Sequence, residues 1–109
     1  MRLSIVDQTG QLTSLQRTQL RRRLRIVLTR FSGHLRGVRL TLGLAPDGAV
    51  EAYRCHGSLV FQDSVQRDVT ARGDELADTA VRVVDRLGRA AARAVDCGQP
   101  GGRRVASRL

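Results

Sequence analysis

Arginines at 82, 86, 89 and 93 recur at intervals of four, three and four residues, and on a helix advancing about 100° per residue they fall within a stripe roughly 60° wide. That stripe is a cationic rail about 16 Å long. Each guanidinium presents a planar fork of donors suited to phosphate or carboxylate oxygens, so the chemistry on offer is polyanion binding rather than bond making. Arg21, Arg22 and Arg25 place a second cationic group in an earlier helical segment, beside no acid. Asp78 and Asp85 stand four residues before Arg82 and Arg89, a spacing that gives weak surface pairs of about 0.3–0.5 kcal/mol each. Arg86 and Arg93 have no such acid. Replacing Arg86, Arg89 and Arg93 by Glu should therefore abolish polyanion binding and leave the fold alone.

Other chemistries have little to stand on. Cys55 and His56 are adjacent on a probable strand and point to opposite faces, so they cannot act as nucleophile and base. His34 stands alone in a loop. Two Cys and two His at no ligand spacing make no zinc site, and no glycine-rich loop fits a phosphate fingerprint. No metal, cofactor or small-molecule substrate is implied, and the chain reads as a binding protein, not an enzyme. Phe31, Tyr53 and Phe61 are the only aromatics, and all three fall at positions expected to face the core. Stacking on exposed bases is thereby disfavoured, and recognition through phosphate geometry and shape is favoured.

With 109 residues the chain is long enough for one core. Its 19 cations are all Arg, as codon bias in a GC-rich genome would favour, but that bias does not explain a net charge of +9. Such a balance predicts attraction to nucleic acid or to an anionic membrane surface, with strong salt dependence. No apolar run approaches a membrane span, and Asp7 interrupts the N-terminus before a signal core could form, so a cytoplasmic protein without a membrane partner is expected. Cys55 and Cys97 are expected to be reduced thiols.

Periodicity supplies the elements that position the rail. Leu3 and Ile5 alternate with polar neighbours over 2–7, giving a strand closed by a turn at 7–10. Thr13 or Ser14 can cap a helix whose buried face is Leu20, Leu24, Val27, Leu28 and Phe31, ended by Ser32 and Gly33. A strand over 36–44 buries Val38, Leu40, Leu42 and Leu44, and Pro46, Asp47 and Gly48 make the next turn. A third strand covers about 50–61, with Gly57 as a bulge candidate, and a fourth carries Val65, Val69 and Ala71, with Arg67 on the nominally buried parity. Asp74 and Glu75 open the last helix, which runs to about Val95 and buries Leu76, Ala80, Val83, Leu87 and Ala94. The expected fold is α/β (α+β) in the order β-α-β-β-β-α, a four-stranded mixed sheet with both helices on one face and the other face more polar. The domain spans 1–96, and 97–109 is expected to be a flexible basic tail. Arg2, Arg36, Arg39, Arg54 and Arg72 lie on or beside strands as solvated surface.

Against this order, Val27-Leu28-Thr29-Arg30-Phe31 leading into Val38-Arg39-Leu40-Thr41-Leu42, and Val84-Asp85-Arg86-Leu87-Gly88-Arg89, carry a family likeness over about residues 2–95. The sequence resembles the short form of the ribosome hibernation promoting factor family, also called the ribosome-associated inhibitor family and grouped with sigma-54 modulation proteins. The resemblance implies a stress and stationary-phase factor that binds small-subunit rRNA and occludes the mRNA and tRNA channel. It places basic residues at Arg86, Arg89 and Arg93. Ala90 and Ala91 replace the Gln-Leu often found beside those positions, and the tail is shorter than the dimerisation domain of the long form. The residues themselves leave two alternatives: a general structured-RNA or RNA-chaperone module, and a protein-interaction domain that docks an acidic partner. They leave the oligomeric state open.

Overall fold

The structure is a computed structural model that describes residues 1–45 and 52–96. The turn expected at Pro46, Asp47 and Gly48 and the tail from Cys97 lie outside the described residues. Strand β1 spans Arg2–Asp7, helix α1 Ser14–Leu28, β2 Leu35–Leu44, β3 Tyr53–Phe61, β4 Gln66–Gly73 and α2 Leu76–Asp96. A single turn of 3-10 helix, Thr29–Phe31, extends α1. The sheet order is β1-β2-β3-β4, with β1 parallel to β2 and the remaining pairs antiparallel. A helical crossover requires the first relation and short turns require the others. The fold is therefore the α+β arrangement that periodicity predicts.

Local chemistry fixes the start of α1. Asp7 accepts from the Thr9 amide at 2.9 Å, the Thr9 hydroxyl at 2.6 Å and the Leu12 amide at 2.9 Å, and Gly10 takes the left-handed φ of 72° that the turn needs. Thr13 then caps the helix through a full capping box with Gln16, each side chain bonded to the other's backbone N–H at 3.0 Å.

The core lies between the sheet and the two helices. Ile5, Val38, Leu40, Leu42, Cys55 and Leu59 face it from the sheet, and Leu24, Leu28, Val83, Val84 and Leu87 from the helices. Several expectations need correction. Gly57 is not a bulge: it pairs in register with Leu40 and Val69, and a Cβ there would sit 2.7 Å from Val83 Cγ1 and 2.8 Å from Leu87 Cδ1. Its bareness lets α2 approach the sheet. The register shift in the β2–β3 pair falls instead between Leu35 and Gly37, which turns Leu35 inward. Leu44, expected to be buried, is 63% exposed as the last residue of β2. On α2, Thr79, Val84 and Ala91 are buried and Ala94 only half-buried, so the covered face is wider than the predicted stripe and turned slightly from it. Arg67 keeps its parity but is exposed, since β4 buries only Ala71 and Gly73 near its C-terminal end.

Candidate nucleic-acid interface

Helix α2 presents the rail on its solvent side: Arg82, Arg86, Arg89 and Arg93 are all exposed. They are not equivalent. Arg82 Nη2 donates to the Arg72 carbonyl at 2.7 Å and Arg86 Nη1 to the Thr70 carbonyl at 3.0 Å, so both guanidinium groups lie across the outer edge of β4. A Cβ at Gly73 would stand 2.6 Å from Arg82 Nη2, and the absence of a side chain there leaves the guanidinium its path. Arg89 and Arg93 make no ion pair or side-chain hydrogen bond among the described residues. A guanidinium carries five N–H donors, so Arg82 and Arg86 keep outward donors after capping the edge. The expectation that Arg86 could be replaced at no structural cost is corrected by its bond to Thr70.

The helical pairs expected along α2 are likewise replaced by a tertiary one. Asp85 takes a two-pronged contact from Arg23 of α1, Nε to Oδ1 at 3.1 Å and Nη2 to Oδ2 at 3.2 Å, instead of pairing with Arg89. Among the described residues Asp78 makes no ion pair with Arg82. The contact releases Arg89 and clamps the helices at a point where Gly88 lets Val27 come close: a Cβ on Gly88 would meet Val27 Cγ1 at 2.3 Å.

Arg23 also orients the cations of α1. Because it reaches toward α2, Arg21 and Arg25, each two residues away and hence about 160° around the helix, lie on the flank turned from α2. Arg22 stays near the partner helix, where it borders a shallow groove with Ile26, Val27, Ala77 and Val81. Farther along the same seam, Arg30 and Arg89 border an open recess with Phe31 and Gly88, and Arg30 lies 4.5 Å from the Phe31 ring centre. The seven cations singled out in the sequence thus divide into Arg22 with the α2 rail on the helix layer, and Arg21 with Arg25 on its far flank. Arg17, half-buried, donates to the Ile5 carbonyl at 2.9 Å and serves β1 much as Arg82 and Arg86 serve β4.

The uncovered sheet face is polar, carrying Ser4, Arg39, Thr41, Arg54, His56, Ser58 and Asp68. His56 contacts the Thr70 hydroxyl through Nδ1 at 3.0 Å and approaches Asp68 through Nε2 at 3.7 Å. Hydrogen bonds from Gln66 and Ser58 hold the Asp68 carboxyl below its ordinary value, opposed by burial and assisted by His56. Burial also tends to raise Asp7, but its hydrogen bonds from Thr9, Leu12 and Gly10 together outweigh that and lower it. Burial pushes the Cys55 thiol up to about 12. Phe31 and Phe61 are buried and Tyr53 is half-buried with its hydroxyl bonded to Gln11 Oε1, so no aromatic ring among the described residues is laid open for a base. No cluster of His, Cys, Asp and Glu among the described residues could hold a metal ion.

These features define a small basic α+β domain with a row of exposed arginines along α2. Among solved structures, the chain is similar to the N-terminal domain of Thermus thermophilus Protein Y, with a TM-score of 0.66 and 19% sequence identity over 85% of this chain and 98% of that one. It is also similar to a ribosomal subunit interface protein from Coxiella burnetii, with a TM-score of 0.72 and 8% identity over 88% of this chain and 99% of that one. The chain therefore shares its fold with these two structures. No protein-family model matches the chain. No curated protein matches it either.

Proposed function

We propose that this protein is a ribosome-associated hibernation factor that binds small-subunit rRNA through the helix layer and occupies space needed by mRNA and tRNA. The single observation that carries this reading is a row of outward arginines on a fold shared with a ribosomal subunit interface protein. Arg89 and Arg93 are the leading phosphate contacts, since nothing else among the described residues engages their guanidinium groups. Arg82, Arg86 and Arg22 contribute outward donors beside them, and Arg21 and Arg25 meet rRNA from the other flank. The action is steric occlusion in the cytoplasm under stress or in stationary phase, with no catalytic step and no cofactor. With about five phosphates neutralised, log affinity falls with log salt at a slope near −4.

Co-sedimentation with ribosomes through a sucrose gradient tests the proposal. The protein should travel with small subunits at low salt, and Arg89→Glu with Arg93→Glu should leave it at the top. A wild-type protein that stays at the top at low salt overturns the reading. Equal affinity for a generic RNA duplex and for small subunits would reduce it to a general structured-RNA module.

A further inference from the structure

β4 ends the sheet, and the helix that follows it closes the open edge. The Thr70 and Arg72 carbonyls accept from Arg86 and Arg82 at 3.0 and 2.7 Å, so they point away from β3. In an antiparallel ladder the N–H of such a residue points the same way as its carbonyl. Alternation extends the pattern to Asp68, and the Thr70 and Asp68 peptide groups therefore face outward along the edge. Four residues of helix advance about 6 Å and two residues of strand about 6.8 Å. Arg82 and Arg86 therefore run beside the edge in step with it.

We infer that the outer edge of β4 is a strand-addition site for an extended acidic segment of a protein partner. Docking is an exchange of hydrogen bonds. An incoming backbone N–H replaces the guanidinium on the Thr70 carbonyl, and the released Arg86 turns to a carboxylate on the incoming strand, where the bond becomes charge-assisted and stronger. Arg82 does the same beside Arg72. A neutral strand would displace two guanidinium groups and offer them nothing, so the edge selects acidic segments. The side that must carry the acids follows from pleating. The incoming strand runs antiparallel to β4, so residues bonded to Thr70 and Asp68 share the open sheet face with them, and the alternate residues project toward α2 and Arg82 and Arg86. A phosphodiester chain can engage the rail, but it lacks the alternating peptide groups that this edge complements. The inference does not rest on the ribosomal reading.

The test uses the full chain, 15N-labelled, and an end-capped peptide of alternating Glu and Thr as long as the eight residues of β4. Binding should slow exchange of the Thr70 and Asp68 amide protons by about tenfold or more. N-methylation at the Thr nitrogens, which face β4 when Glu faces the rail, should abolish that protection, and N-methylation at the Glu nitrogens should spare it. Arg82→Ala with Arg86→Ala should weaken binding, and the peptide comparisons stand on the wild-type chain should that variant fail to fold. Equal binding of all three peptides, or shifts confined to α2 with no protection at β4, would overturn strand addition and leave an electrostatic contact only. Equal protection of Thr70 by an RNA duplex would overturn it in favour of nucleic acid. Failure here leaves ribosome co-sedimentation untouched, so the two readings fall separately.

Discussion

Two pairs of arginines on one helix should behave differently when their charge is removed. Arg82→Gln with Arg86→Gln takes away two hydrogen bonds to backbone carbonyls of an edge strand, whereas Arg89→Gln with Arg93→Gln removes side chains that have no partner among the described residues. A net hydrogen bond contributes about 0.5–1.5 kcal/mol, and at these exposed positions the lower half of that range applies, so the first pair should cost about 1–2 kcal/mol. For a domain of this size that lowers Tm by about 4–10 °C. The second pair should stay within about 0.5 kcal/mol of wild type. Both pairs remove two cations from the rail, so each should flatten the salt dependence of binding to ribosomal small subunits by roughly two units of slope. Thermal melts followed by circular dichroism, together with binding titrations at several salt concentrations, separate the effects. Equal melting temperatures for the two variants would refute the edge-capping argument, and an unchanged slope in the Arg89/Arg93 variant would remove these residues from the phosphate interface.

Three further outcomes follow from the packing and the ionisable groups. Gly88→Ala should destabilise the fold in urea titrations even though Ala favours helix over Gly by about 1 kcal/mol, because the new methyl would lie 2.3 Å from Val27 Cγ1; adding Val27→Ala should recover part of the loss. Cys55 should resist thiol reagents at neutral pH until the protein unfolds, since burial pushes its pKa up to about 12 and leaves almost no thiolate, as mass spectrometry of labelled peptides would record. The carboxyls of Asp7 and Asp68 lie below the ordinary value of 3.8 in the folded chain, so the unfolded chain binds more protons near that pH. Their stabilisation is present above that value and is lost as pH falls through the lower folded values, so Tm should drop in that acid window and Asp7→Asn should shallow the drop.

Element order and most boundaries were legible because burial leaves a period in the sequence. Leu3 and Ile5 mark β1, Thr13 or Ser14 marks the cap of α1, which the structure places at Thr13, and the Leu76, Ala80, Val83 and Leu87 series marks α2. What escaped was set between elements. Gly57 carries the signature of a bulge and of a close helix approach equally, and only the position of Val83 and Leu87 separates them. Asp85 has Arg89 at helical spacing, yet Arg23, 62 residues away in sequence, offers two donors in one plane and takes the carboxylate. Leu35 falls outside the strand expected over 36–44 because the register shift beside it breaks the alternation that identifies a strand.

The rail shows the same limit from the side of function. Its spacing was readable, but spacing cannot tell a bare guanidinium from one lying over a strand edge, because that distinction depends on where β4 ends relative to α2. Arg82 and Arg86 therefore serve two surfaces. They contribute to the field that draws a polyanion, and they satisfy carbonyls that would otherwise invite another strand. A ligand that turns them off the edge must supply acceptors at least as good as two backbone oxygens, while one that engages Arg89 and Arg93 displaces only water. Phosphates should consequently settle first at the Arg93 end of the rail, and the order in which α2 resonances shift during an RNA titration would show whether they do.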